Sequence, residues 1–187
     1  EAFAAGSMDA GVIPTAKHFP GHGDTSLDSH GRLPQIEIDA RTLVNRELVP
    51  FEYLIKAKIP AIMSGHLSFP QIESDGTPAS LSKKFLTDIL RRQMNYDGLI
   101  ITDDMMNGAT LFAGSFHRAV MMAIEAGNDI IISSTTAGLY DNMWTRNLER
   151  MRTNSEFKER VKDAARRVVF AKLNYFKSEN HAPLYPD

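Results

Sequence analysis

The chain has 187 residues, 43% hydrophobic and 24% charged, with a net charge of −2. That length supports one domain with a sizeable core, and the near-even charge balance offers no basic patch for nucleic acid. Cysteine is absent, which excludes disulfides and thiolate chemistry, and there is no run of about eighteen apolar residues that would span a membrane.

The sequence opens at EAFAAGSMDAGVIPTAKHF, without an initiator Met or signal-like segment, and reads as the middle of a longer pattern. Its composition leaves the compartment open. The first apolar run, GVIPTA (11–16), predicts a buried strand. It is followed by KHFPGHGDTSLDSHGRLP (17–34), which holds three histidines, two aspartates, a lysine and three glycines without helix or strand period. Residues 39–58 carry Leu43, Val44, Leu48, Phe51, Leu54 and Ile55 at helical spacing. A second strand is predicted at IPAIMS (59–64), then a long polar loop through SFPQIESDGTPAS (68–80). Ser82 reads as the N-cap of a helix over 82–96, with Phe85, Leu86, Ile89, Leu90 and Met94 on one side. A third strand, GLIIT (98–102), leads into DDMMNGA (103–109) and a helix over 115–126. The fourth strand is NDIIIS (128–133), and an amphipathic helix spans 155–176.

Strand and helix thus alternate four times, the pattern of an α/β protein with a parallel sheet. Four βα units fit a small doubly wound sheet or half of a (β/α)8 barrel, and periodicity does not choose between them. In both, ligands bind at the carboxyl ends of the strands, and the polar residues cluster there. Lys17 and His18 follow the first strand, His66 the second, and Asp103 and Asp104 the third. Adjacent carboxylates on an extended chain point opposite ways, so one of the two aspartates can face a pocket while the other caps the next helix. In the first loop Asp28 and His30 are two residues apart. A carboxylate beside an imidazole raises its pKa and fixes its tautomer, making a proton shuttle near neutral pH. His18, His22, His30 and Asp24 are also a conceivable zinc set, although no tight ligand spacing favours it. Gly21 and Gly23 allow close approach of the backbone to a ligand. Lys17 and His66 have ordinary readings too, as a solvated lysine and a packed histidine.

Four segments together, KHFPGHGDTSLDSHGRLP, IPAIMSGHLSFP, PASLS and YDGLIITDDMM, resemble glycoside hydrolase family 3, in particular its β-N-acetylhexosaminidase (NagZ-like) branch. The likeness runs from about residue 10 to about residue 175. It implies retaining hydrolysis of terminal β-linked N-acetylglucosamine, plausibly from cell-wall fragments, through a covalent glycosyl intermediate on Asp103. It implies His30 as the acid/base, polarised by Asp28, and Lys17, His18 and His66 as substrate-binding residues. No cofactor or metal is implied. A histidine acid/base departs from the usual pair of carboxylic acids. Being neutral, it would not repel an anionic nucleophile, which keeps glycoside phosphorylase open as a second activity. A non-catalytic sugar-binding or scaffold fragment and a metal-dependent hydrolase are the competing functions from different classes.

The resemblance also implies that residues 1–187 are the second half of a TIM-type barrel, with about four βα units. The first half of such a barrel would contribute an Asp and an Arg to sugar binding, so activity of this chain alone is in question. Open strand edges, and inward-facing side chains such as Ile13, Ile62, Ile100 and Ile131 or their neighbours, then predict self-association or a complex with the missing half.

Overall fold

Each of the four apolar runs forms a strand, displaced towards or confined near its carboxyl end. The computed structural model describes residues 2–25, 33–106, 108–134 and 137–176. A helix not expected from the sequence, α1 (Ala2–Asp9), comes first. It closes through Gly11 at φ 75°, and the Val12 amide returns to the Ser7 carbonyl at 2.8 Å. Pro14 has no N–H for a ladder, so strand β1 begins only after it, at Thr15–Phe19.

Asp39 then caps α2 (Ala40–Thr42), its carboxylate accepting the Thr42 N–H at 2.7 Å. The helix widens into a π-helical turn, Leu43–Glu47, before α3 (Val49–Lys56). Strand β2 is Ala61–Ser64, and a 3-10 turn follows at Ala79–Leu81. Ser82 caps the next helix as expected, its Oγ accepting the Phe85 N–H at 3.2 Å. That helix, Lys84–Gln93, is π-type rather than α, and Phe85, Leu86, Ile89 and Leu90 are still its buried side. Strand β3 (Leu99–Asp104) is followed by α4 (Gly108–Ala113) and α5 (Phe116–Ala126). Strand β4 (Ile130–Ile132), α6 (Ala137–Thr153) and α7 (Ser155–Phe176) complete the described chain. Helices α4 and α6 were likewise not expected from the sequence.

The sheet is parallel and its order is β1-β2-β3-β4. A doubly wound sheet reverses strand order at a switch point. Here every crossover steps to the next neighbour in the same direction, as in a barrel wall. One face carries the helices. Ile62 and Ile100 are completely buried in a core with Phe19, Phe51, Phe85 and Leu90, and Ile131 packs with Ala119, Val120 and Ala123 of α5. The fold is therefore part of a (β/α)8-type barrel.

Of the two sets of residues expected to face inward, the neighbours do so. Ile62, Ile100 and Ile131 point towards the helices, and Ile13 precedes β1. Side chains alternate along a strand, so their neighbours Met63, Ile101 and Ile130 take the opposite, inner face.

At the amino end of the sheet, the Asp129 carboxylate is fully buried. It accepts the Ile100 N–H at 3.0 Å and pairs with Arg91, with Arg160 (2.8 Å) and with Arg167 (3.4 Å). Arg160 and Arg167 belong to α7, so this cluster ties the last helix beneath β3 and β4. The polar groups suited to chemistry lie at the other end.

Candidate active site

Two irregularities in strand register build the site. From Ala16 to Phe19, β1 uses three steps where β2 uses two, from Ile62 to Ser64. From Ile101 to Asp104, β3 uses three where β4 uses two, from Ile130 to Ile132. An extra residue of this kind re-aims the side chains beside it. The two irregular stretches contain Lys17 and His18 on β1 and Asp103 on β3. The Lys17–His18 and Phe19–Pro20 peptides are cis.

His18 Nε2 lies 3.5 Å from Asp103 Oδ2, across the intervening β2 strand, with both side chains about a quarter exposed. The crossing is possible because Gly65, just past β2, has no side chain: a Cβ there would sit 3.1 Å from the His18 Cβ. Partial burial pushes the His18 imidazole below its ordinary value. The nearby Asp103 opposes that shift, and Lys17, His22 and His66 add to it. His18 is accordingly a neutral ring near pH 7.

The two aspartates divide the roles that the sequence left open. Asp103 Oδ1 accepts the Asp104 N–H at 2.8 Å, while Oδ2 faces His18. Asp104 turns the other way: its Oδ1 accepts the Met106 N–H at 3.0 Å and the Ser134 N–H at 3.2 Å. Burial pushes the Asp104 carboxyl up, but these hydrogen bonds, with His66 nearby, bring it below the usual range. Asp104 thus holds the ends of β3 and β4 together, and Asp103 presents Oδ2 to His18.

His66 is at the expected end but not at the surface. It is only 2% exposed, and both ring nitrogens are taken by protein atoms: Nδ1 by Ser80 Oγ at 2.7 Å and Nε2 by the Asp104 carbonyl at 3.0 Å. Those bonds occupy both ring nitrogens that the expected contact with substrate would use. Lys17 is exposed beside His18. Asp28 and His30 lie outside the described residues.

A cavity of about 600 Å³ opens here, lined by Lys17, His18, Gly21, His22, Arg46 and Glu47 among others. Gly21 has φ +143°, and a Cβ on it would collide with the Glu47 carboxylate, so the loop rests directly on the π-helical turn. Arg46 from that turn pairs with Asp24 and, at 2.6 Å, with Glu47. Asp24, a member of the conceivable zinc set, is thereby committed to a guanidinium. Among the described residues no three or more metal-ligating side chains converge. Ser80, Asn128, Ser134, Arg46 and Glu47 were not singled out from the sequence. Each acts through contacts with residues far away along the chain, which no local pattern reveals.

Chemically, the arrangement offers a carboxylate with one oxygen anchored by a backbone N–H and the other facing a neutral imidazole, with a lysine alongside. Such a carboxylate can attack an electrophilic carbon or stabilise developing positive charge. Known proteins share the plan. A curated beta-hexosaminidase of Methylococcus capsulatus is 38% identical over 135 residues, covering 72% of this chain and 40% of that relative. One from Actinobacillus pleuropneumoniae serotype 5b is 41% identical over 134 residues, covering 71% and 38%. The solved glycoside hydrolase family 3 beta-N-acetylglucosaminidase of Paenibacillus sp. superimposes with a TM-score of 0.86 at 30% identity, over 97% of this chain and 35% of that one. The chain thus spans about 40% of the length of the curated relatives it matches. The family model described as the glycosyl hydrolase family 3 N-terminal domain matches residues 1–171, in agreement with the strand order and the site at the carboxyl ends, and the chain belongs to glycoside hydrolase family 3.

Proposed function

We propose that the protein carrying this segment removes terminal β-linked N-acetylglucosamine with retention of configuration. The observation that carries the proposal is the Asp103 carboxylate, partly exposed at the carboxyl end of β3: Oδ1 is held by the next backbone N–H, and Oδ2 faces His18 at 3.5 Å. The beta-hexosaminidase names of the curated relatives support the substrate class.

In the first step an Asp103 oxygen bonds to the anomeric carbon as the bond to the leaving oxygen breaks. The His30 imidazolium, oriented by Asp28, gives its proton to that oxygen. In the second step His30 takes a proton from water, the water oxygen bonds to the anomeric carbon, and Asp103 leaves as a carboxylate. His18 and Lys17 donate to sugar hydroxyls. We assign residues 1–187 to the second half of the catalytic barrel, with the remaining wall coming from a first half or a second copy.

The test is release of p-nitrophenol from its β-N-acetylglucosaminide by the complete protein, with Asp103→Asn as the variant. Activity that survives chelation and is abolished in the variant is expected. Turnover unchanged in Asp103→Asn, or lost on adding chelator, overturns the reading.

A further inference from the structure

His66 is buried, is not among the residues lining the cavity of about 600 Å³, and yet carries a complete set of hydrogen bonds. A carbonyl oxygen can only accept, so the 3.0 Å contact with the Asp104 C=O requires the proton on Nε2. Nδ1 is then an acceptor, and the Ser80 hydroxyl donates to it at 2.7 Å. Ser80 is itself fixed. Its carbonyl accepts from Asn128 Nδ2 at 2.8 Å, and Asn128 Oδ1 accepts from Ser64 Oγ at 2.7 Å. All four residues are at most 2% exposed. The chain of bonds runs from Ser64 of β2 to Asn128 at the entry to β4, on to Ser80 in the 3-10 turn and then to His66, and its output is one bond to the end of β3.

That bond lands on the residue that holds Asp103. Each polar group of Asp104 except one carboxylate oxygen is engaged: N–H to Asp103 Oδ1, Oδ1 to Met106 and Ser134, and C=O to His66. If the Asp104 backbone turns, its N–H leaves Asp103 Oδ1 and the carboxylate loses its only backbone anchor among these bonds. We infer that His66 is a positioning residue for Asp103, acting through the Asp104 backbone and never touching the sugar. This inference rests on Asp103 being the nucleophile. Burial lowers the His66 pKa, against the pull of the Asp104 carbonyl bond and the two carboxylates, which keeps the ring in the neutral form that can accept from Ser80.

The experiment compares His66→Leu, His66→Gln, Ser80→Ala and Asp103→Asn in the complete protein, with kcat and KM for p-nitrophenyl β-N-acetylglucosaminide and a thermal unfolding curve for each. A carboxylate displaced by a fraction of an ångström in His66→Leu is expected to lower kcat about 10- to 100-fold. KM should stay within about threefold, because no substrate contact is removed. Glutamine keeps a terminal N–H for the Asp104 carbonyl and an oxygen to accept from Ser80, so His66→Gln recovers most of the lost kcat. Ser80→Ala lowers kcat in the same direction and decides the matter if His66→Leu does not fold. Unchanged kcat in a folded His66→Leu or in Ser80→Ala, equal loss in the leucine and glutamine variants, or a rise confined to KM overturns the inference. Turnover in Asp103→Asn instead overturns the assignment of the nucleophile, whatever the His66 variants do.

Discussion

His18 and His66 both have their imidazoles pushed below the ordinary value of 6.5 by burial. In acid below that value the unfolded chain takes up protons that the folded chain refuses, so stability rises with pH through this window and falls on acidification. The fully buried His66 dominates, since charging it also costs the Ser80 bond to Nδ1. Asp104 acts in the same sense at lower pH: its depressed folded pKa contributes stability above the ordinary 3.8 that is lost as pH falls through the folded value. Denaturant unfolding should therefore give a midpoint that drops from pH 7.5 towards pH 5, and His66→Gln should flatten the drop. A midpoint that rises on acidification, or an unchanged slope in the variant, contradicts a neutral buried His66. The two histidines are chemically alike, but only His18 keeps part of its ring open to the pocket.

Strand β3 is held at both ends by buried polar groups with different tasks. At its carboxyl end the bond from His66 orients a backbone. At its amino end Asp129 accepts the Ile100 N–H and neutralises guanidinium groups from the π-helical segment Lys84–Gln93 and from α7. Arg160 extends that tie to the carbonyls of Ile124, Gly127 and Asn128, at the end of α5 and the entry to β4. Removing that anion would strip the buried Arg91 of its carboxylate and leave Arg160 and Arg167 only the half-exposed Asp163. Asp129→Ala should therefore cost about 3–5 kcal/mol of unfolding free energy, as for other broken buried pairs. The exposed i,i+4 pair Arg92–Asp88 is the control, and its loss should change stability by no more than about 0.5 kcal/mol. Comparable losses at the two sites would mean that the Asp129 cluster is not structural. Residual turnover in folded Asp129→Ala is expected, because the cluster lies at the opposite end from Asp103.

Across the molecule, apolar surface remains uncovered in places suited to further contacts. Val169, Phe170 and Leu173 of α7 are each more than half exposed. Phe170 borders a concavity of about 910 Å³ at the amino end of the sheet, together with Val12, Ile13 and Leu99. β1 and β4 are the edge strands of the described sheet. Paired edges and covered apolar faces are what a barrel wall requires. The 187-residue chain by itself should therefore sediment as a dimer or larger species at micromolar concentration, or as a complex when the first half of the barrel is supplied. A stable monomer that gains nothing from a first half would contradict the assignment of these residues to half a barrel.

The fold class and the end of the sheet that carries the site were legible in the sequence. A parallel strand buried on both faces must be a short apolar run, a covering helix must repeat every three to four residues, and polar residues had gathered after each run. The motifs also carried the family. Periodicity left barrel wall and doubly wound sheet open and the motifs implied the barrel; the tertiary structure bears that out, because strand order is set by which crossovers pack side by side. The motifs implied Asp103 as the nucleophile, but only the tertiary structure shows what each aspartate touches: Asp103 faces His18 across an extra residue in the β3 register, and Asp104 meets the N–H of Ser134, thirty positions away. And the tertiary structure alone moved His66 from the pocket to the core. A histidine after a strand looks the same in sequence whether its ring meets solvent or, as here, a hydroxyl and a carbonyl brought from 14 and 38 residues away.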